Sequence, residues 1–480
     1  MAGGRGAGAG AGAGASGGRR VALVRHGEST WNAEGRVQGS SDGSRLTERG
    51  RGQARAAGAG LARGCAAGGR FAALFRSPLR RAVETADIVL GELGEELPTK
   101  ELKDLREIDL YSFQGLLKAE GAARHGEAWD AWLRDPAQFS IDGHFPVREL
   151  WERAGRGWVD ILADGPASDD GDGRNALVVA HNAVNQALVG SALGLPPIFF
   201  RRLLQANGAV TVLDFLPTAG GAALPRVTVD RLNQPPSSPV DGPAAWEWAT
   251  TGGGGGGGKG RVILVRHAET LLHGSGILEG CLSTAGVGGA SGEDQLRRLA
   301  DELAGVRLGR ILSSPSLRCQ ETAAAIASAQ ATGPEVCERE ALRSLHLGAW
   351  EGLPAREVRG KPPPPDAEAL EAFWERTAGA WRGVLREAAE GGGRDVLVVA
   401  DGALFSAFLG HCLSLGPESM GMFRFSPGSL SVLDFPDGPL GGPGVVRCTN
   451  CTTHLGPGAD TVALPADVAL DDVCGIDGCF

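Results

Sequence analysis

Long apolar runs are missing from this 480-residue chain, and lysine, tyrosine and cysteine are scarce. No stretch of about 18 uninterrupted apolar residues occurs, so no transmembrane helix is expected. Nine cysteines over this length are too sparse and irregular for a secreted disulfide framework, which points to a reducing compartment. Positive charge is in deficit as well. The 47 Lys plus Arg stand against 57 Asp plus Glu, a net charge of −10, whereas a nucleic-acid-binding domain ordinarily carries a basic excess. Neither a nucleic acid nor a membrane is therefore an expected partner, and nothing in the sequence fixes an oligomeric state. Five lysines against 42 arginines, with 76 glycines and one tyrosine, fit a GC-rich coding sequence and carry no functional meaning.

What is present argues for folded domains. A hydrophobic content of 42% with 22% charged residues suits packed cores, and at roughly 100–200 residues per domain the length calls for two or three. The opening MAGGRGAGAGAGAGASGGRR is basic, free of acids and lacks the apolar segment of a secretory signal. It suits a disordered tail as well as a transit-peptide remnant.

A Pro- and Gly-rich passage at 217–260 divides two matching halves. VALVRHGEST at 21–30 answers VILVRHAET at 262–270, and SPLRRAVETA at 77–86 answers SPSLRCQETA at 314–323. LREIDLYSFQGL at 105–116 answers LRSLHLGAWEGL at 342–353, VVAHN at 178–182 answers VVADG at 398–402, and VLDF recurs at 212–215 and 432–435. Five matches in one order mark a domain duplication. The expected divisions are a leader at 1–19, a first domain at 20–232, a linker at 233–260, a second domain at 261–447 and a cysteine-containing tail at 448–480.

Each half reads as α/β. The short apolar runs Val21–Val24 and Ala176–Ala180 are expected as buried parallel strands, and Arg80–Leu93, with apolar Val83, Ala86, Ile88, Val89 and Leu93, as a helix. Alternating strands and helices predict a mainly parallel sheet covered on both faces, that is, two tandem three-layer α/β/α domains. Ligands bind such sheets at the carboxyl ends of strands, where Arg25, His26 and His181 fall. A neutral imidazole near pH 7 can attack phosphorus without a separate base, and an adjacent arginine offers planar donors to phosphoryl oxygens.

VRHGESTWN, RVQGSSD, LTERG, SPLRRAVETA, REIDLYSFQG and VVAHN, in that order, resemble the signature blocks of the histidine phosphatase superfamily, the group of phosphoglycerate mutases and fructose-2,6-bisphosphatases. The resemblance implies that His26 is a nucleophile passing through phosphohistidine, that Arg25, Arg81 and His181 complete the phosphate pocket, and that Glu107 donates the proton to the leaving group. It also implies that Asn32, Gln38 and Gly39 contact phosphate or substrate. No cofactor and no metal are implied, because the arginines and His181 supply the charge. Asn182 stands where many relatives have glycine. The segment between Glu107 and His181 lacks the inserted arginine- and proline-bearing loop of the mutases, which favours hydrolysis. Within it, Arg124, His125, His144 and Arg148 are candidates for binding a substrate carboxylate or are plain surface charges. The resemblance is strongest to plant and algal members, implying a chloroplast stromal phosphatase acting on a small sugar phosphate that inhibits Rubisco. A mutase, a protein phosphatase and a regulatory binding protein are the alternatives.

The second half keeps Arg266, His267 and Arg318 but has Ser344 and Asp401 where Glu107 and His181 stand in the first. A hydroxyl is no general acid at neutral pH and an aspartate repels phosphate, so this half is expected to be inactive. In the tail, Cys448, Cys451, Cys474 and Cys479 leave open unpaired thiols, a disulfide or a zinc site.

Overall fold

The computed structural model describes residues 18–66, 70–163, 175–216, 226–235, 260–282, 285–331, 333–358 and 360–456. Most of the leader and of the linker lie outside the described residues, as do Cys474 and Cys479 of the tail.

Continuous β-branched and aliphatic runs form the inner strands of the first half: β1 (Arg19–Arg25), β2 (Phe71–Arg76) and β4 (Asn175–Ala180), with the short β3 (Thr99–Glu101) outside β2. All these neighbours pair in parallel, β1 on β4 from Val21 opposite Ala176 to Arg25 opposite Ala180. Antiparallel β5 (Val210–Leu216) and β6 (Arg226–Gln234) extend the sheet on the other side of β1. The second half repeats the plan with β7 (Arg261–Arg266), β8 (Leu308–Ser313), β9 (Glu335–Glu338), β10 (Asp395–Ala400), β11 (Leu430–Asp434) and β12 (Val445–Cys451).

Successive side chains of β1 point to opposite faces, so both faces need cover. Ala22 and Val24 pack on the helices Glu48–Ala66 and Arg80–Leu93 through Ala57, Leu61, Ala82, Ala86 and Val89. Val21 and Leu23 belong to the opposite core, with Leu150, Trp158, Val184 and Leu188 from the helices Pro146–Ala163 and Asn182–Ala192. The Arg80–Leu93 helix has the expected bounds, but its buried stripe is Arg81, Ala82, Thr85, Ala86 and Val89, while Val83 and Ile88 are half-buried. Arg81 is buried with this face although burying a guanidinium is costly.

The two sheets are one. β6 and β12 pair antiparallel at Leu232 opposite Thr449, giving a twelve-stranded order β3-β2-β4-β1-β5-β6-β12-β11-β7-β10-β8-β9. The divisions expected at 232 and 447 therefore fall inside strands β6 and β12, and β6 itself lies within the Pro- and Gly-rich passage at 217–260 that was expected to part the two halves. The core on one face is likewise continuous across the seam, joining Leu23 and Val178 to Leu264, Val398 and Phe405. Each buried aliphatic side chain contributes roughly 1.5–3 kcal/mol.

The repeated VLDF block owes its aspartate to this seam. Asp214, fully buried, accepts from Arg20 Nε at 2.6 Å and Nη2 at 2.7 Å and from Arg424 Nη1 of the other half at 2.6 Å. Burial alone would push the neighbouring Asp230 carboxyl up, but Arg20, Arg231 and Arg424 hold it down at about 2. Removing one partner of a buried charge pair typically costs about 3–5 kcal/mol, because the other charge is left uncompensated. Asp214→Ala is expected to lose that much in urea unfolding of the full chain. A loss below about 1 kcal/mol would show that the seam does not depend on this carboxylate.

Candidate active site

β1 and β4 end side by side, and the residue after each is a histidine. The His26 N–H donates to Ala180 O at 3.0 Å, and the buried rings of His26 and His181 meet edge to face with centroids 5.1 Å apart. His26 Nδ1 lies 2.6 Å from Gly27 O. A carbonyl oxygen only accepts, so Nδ1 carries the proton and Nε2 keeps a lone pair. Gly27 is required here by close approach: a Cβ on it would lie 2.1 Å from Gly50 O.

Arg81, in the first turn of its helix, is fully buried and spans to the loop below, with Nη1 on Ser41 O at 2.8 Å and Nη2 on Gly39 O at 2.9 Å. Gly39 adopts φ +51°, and a Cβ there would strike the Gln114 side chain. Its placed role is therefore to offer a carbonyl to Arg81. Arg80, next to Arg81, is exposed and reaches Asp42 at 3.2 Å. Arg25 donates through Nη1 to Gln205 O at 2.8 Å. Ser77 Oγ accepts from Leu79 N–H and lies 2.8 Å from His181 Nε2, tying that ring to the end of β2.

Three donors in this group are buried without a protein partner: Arg25 Nε, Arg81 Nε and His181 Nδ1. An unsatisfied buried donor costs about 1–3 kcal/mol, more when charged, and a compact anion with several acceptor oxygens removes that cost. Burial together with the Arg81 and Arg25 charges drives His26 well below the usual imidazole range, and His181 likewise. Burial and, more weakly, Arg81 bring Arg25 down to about 10, against the pull of Glu107.

Glu107 leaves an irregular segment to meet the N-terminus of the Asn182–Ala192 helix. Its Oε1 accepts from the N–H groups of Ile108, Ala183 and Val184 at 3.0–3.1 Å, while Oε2 takes Ala183 alone at 3.1 Å. The amide dipoles of a helix start favour an anion at this spot. Oε2 is thus the oxygen with capacity left for a proton.

The expected site residues are brought together with two qualifications. Asn32 forms a capping box with Ser29, its Oδ1 also meeting Asn207 Nδ2 at 3.3 Å, and Gln38 Oε1 lies 3.1 Å from Ser29 Oγ. Both carbonyl oxygens are committed to shaping the loop, leaving their amide groups for a ligand. In the segment between Glu107 and His181, His144 stacks on Tyr111 with centroids 4.2 Å apart and faces Glu149, and Arg148 lies over Phe145 and donates to Ala137 O. Those two are used within the segment itself. Sequence reasoning missed Ser77, Gln205, Asn207 and Arg153. Asn207 Nδ2 donates to His26 O at 3.0 Å, and Arg153 Nη2 to Glu107 O at 2.9 Å. Ser77 stood in a quoted block; the other three have no local pattern to announce them.

In the second half His267 and Arg318 hold equivalent places, with His267 Nδ1 2.8 Å from Ala268 O and Arg318 on Leu282 O and Gly280 O. Asp401, however, lies where the anion belongs. Its Oδ1 is 3.0 Å from both His267 Nε2 and Arg318 Nη2, and its Oδ2 accepts from the Ser344 hydroxyl. Although burial opposes ionisation, Arg318, His267 and Ser344 hold this carboxyl far below its usual range.

A parallel-sheet edge presenting a lone-pair imidazole between under-bonded arginines defines an α/β protein built to hold a phosphate-like anion. The chain belongs to the histidine phosphatase superfamily (branch 1), whose family model matches residues 21–226 and again 262–442, and with the phosphatase relatives below this makes it a phosphoric monoester hydrolase. It is 39% identical over 459 residues to a "probable 2-carboxy-D-arabinitol-1-phosphatase" of Arabidopsis thaliana, covering 93% of this chain and 90% of that one. It is 41% identical to the 2-carboxy-D-arabinitol-1-phosphatase of Triticum aestivum, covering 91% and 87%. A 2,3-bisphosphoglycerate-dependent phosphoglycerate mutase of Beijerinckia indica is 34% identical, covering 37% of this chain and 83% of its own.

A pH consequence follows from the buried imidazoles. Both are held neutral by burial and by the arginines, so by NMR His26 and His181 are expected to stay neutral through pH 6.5 in anion-free buffer. The unfolded chain takes up these protons below about pH 6.5 while the folded one does not, so stability falls as pH drops from there. Half-protonation of either ring near pH 6.5 would contradict this.

Proposed function

We propose that the first half hydrolyses phosphate monoesters through a phosphohistidine on His26. The observation that carries this reading is the state of that ring: proton fixed on Nδ1, lone pair on Nε2, set among buried arginines with unused donors. Nε2 attacks phosphorus, and the P–O bond to the substrate breaks. Glu107 gives its proton to the leaving alkoxide, then takes one from the water that attacks the phosphohistidine. Cleavage of the P–N bond releases phosphate and restores the neutral imidazole. Arg25 and Arg81 neutralise the charge on the equatorial oxygens, the neutral His181 ring adds a hydrogen bond, and the scheme calls on no metal. Asn32 and Gln38 face the substrate with their amide groups, and Gly39 acts through Arg81.

The substrate we infer is 2-carboxy-D-arabinitol 1-phosphate or a related sugar phosphate that inhibits Rubisco, hydrolysed in the chloroplast stroma. Similarity to the two plant phosphatases over nearly the whole chain supports this. The first and second halves are proposed as an active and an inactive domain, because Asp401 occupies the second pocket with the molecule's own carboxylate.

Kinetics on a panel of 2-carboxy-D-arabinitol 1-phosphate, other sugar phosphates, 3-phosphoglycerate and phosphopeptides tests the substrate, with the first expected to give the highest kcat/KM. A flat response to all small phosphates would turn the reading toward protein substrates. His26→Ala is expected to abolish turnover and His267→Ala to leave it nearly intact; equal losses would sink the one-site reading. Glu107→Gln is expected to cost about 10²–10⁴-fold on an alkyl phosphate, and far less on p-nitrophenyl phosphate, whose leaving group needs no proton.

A further inference from the structure

We propose that Asn233 is a positioning residue, through which the edge strand of the second half sets the loop that fixes Arg25 and His26 in the first. The loop runs from Arg201 to Gly208. Its Gln205 carbonyl accepts from Arg25 Nη1, its Asn207 side chain donates to His26 O, and its Gly208 N–H donates to Arg25 O at 3.1 Å. Within the first half, this loop is the backbone that holds the nucleophile and its arginine from below.

The second half grips the same loop. Leu204 N–H donates to Val446 O at 3.1 Å, and Val446 N–H to Arg202 O at 2.8 Å. Asn233, at the end of β6, joins the two. Its Oδ1 accepts from Ala206 N–H at 2.6 Å, and its Nδ2 donates to Arg447 O of β12 at 2.6 Å. Its own N–H reaches Thr211 Oγ1 at 2.9 Å, and that hydroxyl donates to Gln205 Oε1 at 2.9 Å. Asn233 is buried and held at φ +56°, a left-handed conformation that asparagine tolerates better than most residues.

The molecule contains a matched control. Asn450, at φ +51°, accepts from Ser426 N–H at 2.6 Å and donates across the seam to Asp230 O at 2.8 Å, with its N–H on Ser431 Oγ. Val229 meanwhile pairs with Met422 and Arg424 as Val446 does with Arg202 and Leu204. The relation is reciprocal: each half's last strand holds the other half's loop. Only the Asn233 relay ends on a pocket not already filled by an aspartate.

The proposal rests on the reading of His26 as nucleophile, and the experiment separates the two. Asn233→Gly and Asn450→Gly each permit the left-handed backbone and delete one cross-seam side chain. In the full chain, with p-nitrophenyl phosphate as substrate, Asn233→Gly is expected to lower kcat about tenfold or more, since small misplacements of reacting groups cost up to about 10²-fold. Asn450→Gly is expected to leave kcat unchanged while lowering the thermal midpoint by the same amount. Equal kcat losses in both variants, or none in Asn233→Gly, would overturn the relay. If Asn233→Gly does not fold, Asn233→Asp, which keeps the acceptor for Ala206 and removes the donor to Arg447 O, carries the same expected loss, and wild-type kcat in it would overturn the proposal. His26→Ala in the same assay tests the underlying reading. Activity surviving that change removes the nucleophile; activity lost there but intact in Asn233→Gly removes the relay alone.

Discussion

A guanidinium taken out of water must meet an anion or leave its donors unpaired, at a cost of several kcal/mol. Both halves of this chain bury an arginine completely at the start of the same helix, Arg81 in one and Arg318 in the other. Both tie its two terminal nitrogens to loop carbonyls, which orient the group without neutralising it. The difference between the halves lies in what supplies the anion. In the second half Asp401 does so from within the fold, and the arginine is satisfied. In the first, His181 stands at that position, and Arg81 Nε remains without a protein partner.

That single exchange reorganises the surrounding chemistry. With an imidazole at 181, the arginines leave the pocket cationic, and the His26 ring keeps its lone pair because burial and the two arginine charges both oppose protonation there. Glu107 is then the one carboxylate within electrostatic reach of Arg25 and Arg81 that also meets a helix N-terminus. In the second half the acid at 401 needs a donor beside it, and Ser344, which replaces the glutamate, provides a hydroxyl to the same carboxylate. The two substitutions thus compensate each other: the serine suits the aspartate as the glutamate suits the histidine.

Much of this was legible in the chain itself. Strand-end histidines after apolar runs fixed the edge of the sheet at which the pocket forms, and the duplicated blocks gave the repeat. Asp401 and Ser344 stood out once the halves were aligned. Illegible were the residues that act through backbone geometry. Gln205 works through its carbonyl, which every residue possesses, and Asn233 works through a left-handed turn at a strand end. The merging of the sheets was hidden for a related reason: β6 lies in a passage that reads as Pro- and Gly-rich, β12 runs into the expected tail, and pairing between edges leaves no local pattern. The divisions expected at 232 and 447 cut through those strands because composition reports solubility of a segment, not what its backbone pairs with.

The seam also gives the second half a part in the packing of the first, whatever fills its own pocket. An edge strand needs a partner, and β6 and β12 cover each other. Asp214 answers Arg20 and Arg424 at the seam, while Asp434 answers Arg261 and Arg447 from the repeated block. Every one of these contacts depends on the strand plan and none on catalysis. Ser344 and Asp401 take no part in these contacts, whereas removing β12 would expose the edge of β6 and leave Arg202 and Leu204 without the backbone bonds they make to Val446.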